Sequence, residues 1–151
     1  SDGSDDGSSD TDDPSDTDTP TGGDGCDGAE DLGSTTGMGV ASGTTTSSGA
    51  SFWFLTCGSS YDYETQDATF TWSAPVSGPY EVSTTGSDYD TVLAIYESDC
   101  STEVACNDDS TGVSSAIEQV FTAGTTYVIV IDGYYSTSYG SYTLNIEPVG
   151  L

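Results

Sequence analysis

Not one side chain in this sequence can be cationic at neutral pH. Lys, Arg and His are all absent, while Asp and Glu together number 26, for a formal charge of -26. No carboxylate can therefore be neutralised by an ion pair to another side chain. Each must stay in water, accept hydrogen bonds from neutral donors, or hold a cation taken from outside. Any core has to be built from apolar groups and neutral polar groups alone. Partners are constrained as strongly. Phosphate backbones are recognised through Lys and Arg, so nucleic-acid binding is excluded. Electrostatic attraction to anionic lipid is excluded for the same reason. A surface of this sign suits metal cations, basic proteins or neutral glycans.

The apolar residues that remain fall into short runs of period two, broken by Gly, Ser, Asp and Pro every ten residues or so, which is an all-β pattern. Phe52-Trp53-Phe54-Leu55 is the first strong run. Ala68, Phe70 and Trp72 alternate with Thr69, Thr71 and Ser73, and Pro75 ends that strand. Tyr80 and Val82 alternate with Glu81 and Ser83. Thr91 to Glu97 is apolar on both faces, and Val104 to Cys106 reads as a short return strand, followed by 116–122. Tyr127-Val128-Ile129-Val130-Ile131 is the most hydrophobic run and should be a central strand. Tyr142, Leu144 and Ile146 should face inward from the last strand, with Thr143, Asn145 and Glu147 outward. The Gly/Thr/Ser-rich stretch 34–49 is expected to include an edge strand around Gly39–Ser42. About eight strands suit a jelly-roll-like, two-sheet β-sandwich over residues 26–151. No stretch has a helical period.

Residues 1–25 carry no apolar side chain beyond proline. They read as an acidic low-complexity tail or linker, extended by self-repulsion and able to hold a domain away from a surface. Four cysteines, Cys26, Cys57, Cys100 and Cys106, read as two disulfides of a secreted or cell-surface protein. The other reading, a zinc site, lacks both a Cys-x-x-Cys pair and any histidine. No apolar run is long enough to span a bilayer.

The stretch from Ser87 to Ser110 concentrates carboxylates at both ends of an apolar run. If 91–97 turns near Asp99–Thr102 and returns through Glu103–Cys106, an antiparallel hairpin results. That hairpin places Cys100 near Cys106, suggesting a local disulfide, and leaves Cys26–Cys57 by elimination. It also gathers Asp88, Asp90, Asn107, Asp108 and Asp109 at one end of the sandwich. Unit charges ~4 Å apart repel by about 1 kcal/mol even in bulk water. With no cationic side chain available, Ca²⁺ is the expected companion, because it takes six to eight hard oxygen ligands. The alternative is a solvated turn, since Asp and Asn are common turn formers. Asp62, Glu64 and Asp67 read as a plain acidic loop, and Asp132 either joins a cation site or caps a turn.

Four segments together resemble the pre-peptidase C-terminal (PPC) domain family. They are Ser87-Asp88-Tyr89-Asp90-Thr91-Val92-Leu93, Cys106-Asn107-Asp108-Asp109, the run from Ala123 through Asp132-Gly133-Tyr134, and Gly140-Ser141-Tyr142-Thr143-Leu144. Trp72-Ser73-Ala74-Pro75 and Gly78-Pro79-Tyr80 fit the same text, and the resemblance covers roughly 32–149. It implies a jelly-roll-type sandwich on secreted bacterial or archaeal proteins. Such a module usually follows a protease or other hydrolase, is itself non-catalytic, and in some members binds calcium or polymeric substrates. Here an acidic tail stands where a catalytic domain would precede it.

Catalysis finds few tools in this sequence. Without His there is no Ser-His-Asp or Cys-His pair, and without Lys no Schiff base. A glycosidase needs only two carboxylates, but those here read as loop residues. Tyr134, Tyr135 and Tyr139 form an aromatic-rich loop suited to stacking on sugars, filling a protein interface or covering the sandwich edge. The sequence thus points to a non-catalytic extracellular structural protein. It is expected to self-associate as a surface or filament subunit, stabilised by calcium and disulfides. The alternative is an adhesin or accessory module that holds glycan or protein. Its many Ser and Thr residues are also candidates for O-linked sugar, and no Asn-x-Ser/Thr sequon occurs.

Overall fold

In the computed structural model the described residues are 28–45, 57, 67–108, 112, 114–134 and 138–149. They form nine strands: β1 (Glu30–Asp31), β2 (Gly37–Thr44), β3 (Ala68–Ser73), β4 (Gly78–Ser83), β5 (Thr91–Glu97), β6 (Glu103–Asn107), β7 (Ala116–Phe121), β8 (Thr126–Gly133) and β9 (Ser141–Pro148). One sheet has four strands in the order β2-β9-β4-β7, and the other five in the order β1-β3-β8-β5-β6. The architecture is the expected two-sheet β-sandwich. The tail, Cys26 and the expected strand at 52–55 lie outside the described residues.

Period two explains which side chains fill the space between the sheets. Phe70 and Trp72 of β3, Leu93 and Ile95 of β5, and Ile129 and Ile131 of β8 point inward from one sheet. Val82, Phe121, Tyr142, Leu144 and Ile146 meet them from the other. The densest part is aromatic. Trp72 packs edge-on against Tyr80 and Phe121, each with ring centroids 5.2 Å apart, and Phe121 meets Tyr127 at 4.7 Å. The one polar atom of the indole is satisfied, since Trp72 Nε1 donates to the Thr35 carbonyl at 2.8 Å.

The most hydrophobic run of the sequence is β8, and it takes the centre of the five-stranded sheet, flanked by β3 and β5. Its alternate residues are also buried. Val128 and Val130 join Val92, Ala94 and Tyr96 in a second apolar cluster on the sheet face turned away from the core, with Cys57, Cys100, Cys106 and Tyr134 packed against it. A strand buried on both faces reads as a continuous apolar run, as β5 and β8 do. Asn145 departs from the expected outward exposure. It points away from the core yet is buried, because its amide is consumed locally: Nδ2 donates to Ser83 Oγ and the Thr85 carbonyl, and Oδ1 accepts from Gly39 N at 2.8 Å.

The cysteine pairing differs from the expected one. Cys57 is joined to Cys106, with the Cα atoms 5.9 Å apart. Cys100 is also disulfide-bonded, to a partner other than Cys106. The hairpin itself forms as expected, but its register separates the two nearer cysteines. Tyr96 faces Glu103 next to the turn, and Cys106 faces Ala94 further along the ladder. At ~3.3 Å per residue, the three residues from Glu103 to Cys106 carry Cys106 roughly 10 Å from the turn. That is beyond the Cα separation a disulfide spans.

Candidate functional site

The acidic end of the five-stranded sheet is built by strand register. Val92 on β5 faces Asp132 on β8, and the neighbouring rungs pair Ala68 with Ile131 and Leu93 with Asn107. Extending each ladder by one rung sets Asp67 beside Asp132 and Asp108 beside Val92. All four lie on the face turned away from the core, since Val92 belongs to the outer cluster. Asp90, two residues before Val92, adds a carboxylate to the same face, with its carbonyl accepting from Tyr134 N at 3.0 Å. Asp67 and Asp132 are buried. Three side-chain oxygens, Asp90 Oδ1, Asp108 Oδ1 and Asp132 Oδ2, are shut off from solvent.

Tyr89 is buried in the core cluster, close enough to this group to feel its charge. Burial pushes its phenol well above the ordinary tyrosine value. The Thr45 side chain opposes that shift, and the charges of Asp132, Asp88 and Asp67 add to it. The phenol therefore stays protonated beside these carboxylates and cannot add to their charge.

A buried hydroxyl cluster fixes the backbone beneath. Thr84 and Thr91 share a hydrogen bond between their Oγ1 atoms at 2.6 Å, and Ser115 N donates to Thr84 Oγ1 at 2.9 Å. Ser115 Oγ donates to the Thr91 carbonyl at 2.8 Å and also reaches the Asp108 carbonyl. These three residues tie the entry of β5, the exit of β6 and the start of β7 together. Sequence reasoning missed them. A Thr or Ser beside a turn looks like any other polar loop residue, and only the fold shows that all three are buried.

The five sequence-expected ligands do not behave alike. Asp88 is exposed, and its Oδ1 accepts from Ser141 N at 2.9 Å. Asn107 faces the opposite sheet, where its Oδ1 accepts from Ala116 N at 3.1 Å. Both therefore serve as backbone acceptors. Asp90 and Asp108 lie on the outer face, and Asp109 lies outside the described residues. Asp67 and Asp132 join them in place of Asp88 and Asn107. Among the described residues no three acidic or cysteine side chains converge closely enough to hold a metal ion between them. The described carboxylates form a rim of hard oxygens, the donor type Ca²⁺ takes.

Of the tyrosine loop, Tyr134 is half-buried against the outer apolar cluster, Tyr135 lies outside the described residues, and Tyr139 is 43 % exposed. Tyr134 thus covers the sandwich, and Tyr139 alone of the described pair presents a ring to solvent.

No protein-family model matches the sequence, and no curated protein is similar to it in sequence. Solved structures are similar in fold. The pre-peptidase C-terminal domain of a collagenase from Bacillus anthracis superposes with a TM-score of 0.50 at 12 % identity, covering 78 % of this chain and 93 % of that one. The fold is that of a PPC-like β-sandwich.

Proposed function

We propose that this chain is a non-catalytic extracellular module of the PPC type whose acidic end is completed by calcium. Support for the accessory role is the fold shared with a domain of a collagenase, an analogy of architecture. Support for an oxidising, extracellular setting is the Cys57–Cys106 disulfide together with the bonded Cys100. The observation that carries the calcium reading is the enclosure of carboxylate oxygens of Asp90, Asp108 and Asp132 in a chain that has no cationic side chain. Extracellular modules bind calcium with dissociation constants of about 10⁻⁴–10⁻³ M. The same cation would govern self-association, since two copies that are both wholly anionic repel unless ions lie between them.

Titration calorimetry with CaCl₂ and MgCl₂ tests this reading. Calcium should bind in the sub-millimolar to millimolar range and magnesium at least about tenfold more weakly, because Mg²⁺ demands a smaller octahedron. Asp132→Asn should lower the calcium affinity and raise the melting temperature of the calcium-free protein by removing a buried charge. Absence of calcium heat, together with a calcium-free Asp132→Asn melt at or below the parent's, would contradict it.

A further inference from the structure

At the opposite end of the β4 strand from the acidic rim, a cavity of about 260 Å³ is lined chiefly by Pro75, Val76, Pro79, Tyr80, Pro148 and Val149. Among the described residues no carboxylate lines it, although the chain has 26. The cavity is held open by hydrogen bonds that leave its walls apolar. Tyr80 Oη donates to the Val76 carbonyl at 2.7 Å and receives Val76 N at 3.3 Å. Val149 N donates to the Pro79 carbonyl at 3.0 Å, and Ser77 Oγ accepts from Ala123 N at 2.8 Å. Val76 and, across the ladder from Pro79, Val120 are each 66 % exposed. This is an apolar site on a chain whose net charge is -26.

Immediately beside it lies a line of like charge. Glu147 of β9 is the direct Cα partner of Glu81 on β4, and Glu81 is the direct partner of Glu118 on β7. All three are exposed on the solvent face of the four-stranded sheet. Glu81 follows Tyr80 of the cavity and Glu147 precedes Pro148. Like charges directly opposite one another weaken a sheet, and the sequence has no Lys or Arg to interleave.

We propose that this face docks a basic peptide segment of a partner protein, with one aliphatic side chain seated in the proline-lined cavity and flanking Lys or Arg residues on the Glu147–Glu81–Glu118 row. Charge complementarity selects the occupant. A second copy of this chain has no cationic residue to offer the row. A neutral or acidic peptide would leave the row uncompensated. The cavity supplies the anchor that a purely electrostatic contact lacks.

The test uses the full chain and a fluorescein-labelled peptide carrying a single leucine flanked on each side by two lysines, read by anisotropy at physiological salt. Exchanging the leucine for serine, or the lysines for glutamine, should weaken binding by about tenfold each. On the protein side, the triple change Glu81→Gln, Glu118→Gln and Glu147→Gln should cost about tenfold, and Val76→Ser roughly threefold. A control removing three exposed acids from the other sheet and its edges (Glu30→Gln, Asp31→Asn, Glu97→Gln) should change affinity by less than about twofold. Thermal melts guard against misfolding, and the glutamate triple variant should melt higher than the parent because the like-charge row is relieved. Equal weakening by both triple variants would show diffuse attraction to a polyanion and overturn the proposal. So would indifference to the leucine, or concentration-dependent self-association that Val76→Ser abolishes.

Discussion

Single residues show two uses of an acid in a chain without counter-charges. Asp99 is fully exposed and organises the β5–β6 turn: Thr102 Oγ1 donates to its Oδ2 at 2.6 Å, and Ser101 N and Thr102 N donate to its Oδ1 at 2.9 Å each. These bonds, the Thr102 hydroxyl foremost, hold the carboxyl below its usual range. A folded-state value below the unfolded one means that the contribution is complete above the unfolded value, near 4. It is lost as pH falls through the folded value. Amide exchange at Ser101 and Thr102 should accordingly quicken, relative to core amides, between pH 5 and about pH 2. The other use is burial, as in Asp132, where the neutral donor Gly133 N meets Oδ1 at 2.8 Å. Apolar residues follow ordinary rules. Phe121 touches Trp72, Tyr80 and Tyr127 from a fully buried position. Phe121→Ala should cost about 3–5 kcal/mol in denaturant unfolding.

Strands and their alternation were largely legible in the sequence, because a strand's face is set by counting. Ala68, Phe70 and Trp72 point inward as their spacing requires, and the run at Tyr127–Ile131 is central because only a strand buried on both faces can be so uniformly apolar. The β5–β6 hairpin was legible too. What alternation could not supply was which strands lie side by side. That is why Asp67 reads in the sequence as part of a plain acidic loop and Asp132 as either a cation ligand or a turn cap, 65 positions away, although the ladder between β3 and β8 makes them neighbours. The disulfide was missed for the same reason. Proximity along a hairpin suggested Cys100, whereas Cys106 sits on the outer face and meets Cys57. Across a separation of 49 residues, the chain-entropy model assigns that cross-link about 4 kcal/mol. The double change Cys57→Ser/Cys106→Ser should lower unfolding stability by roughly that amount. Peptide mapping should return Cys57–Cys106 and, with one cysteine remaining in the sequence, Cys26–Cys100.

At the scale of the whole molecule, the absence of cations divides the sandwich into regions of different chemistry. An apolar core joins the sheets without any ion pair, a second apolar layer covers the outer face of the five-stranded sheet, and the aromatic cluster sits where Trp72 bridges the two sheets. The described acids are left to the periphery, where most are exposed, some organise turns, and a few are enclosed at one end of the five-stranded sheet. Mutual repulsion among 26 carboxylates should make stability rise with added NaCl even when calcium is absent. Calcium bound at the proposed site should do far more than screening. The most direct measurement is the thermal unfolding midpoint at fixed ionic strength, in excess calcium and in EDTA. Ligand at about ten times its dissociation constant adds about 1.4 kcal/mol. The midpoint should therefore lie roughly 5 °C higher in calcium. Coincident melting curves would contradict it.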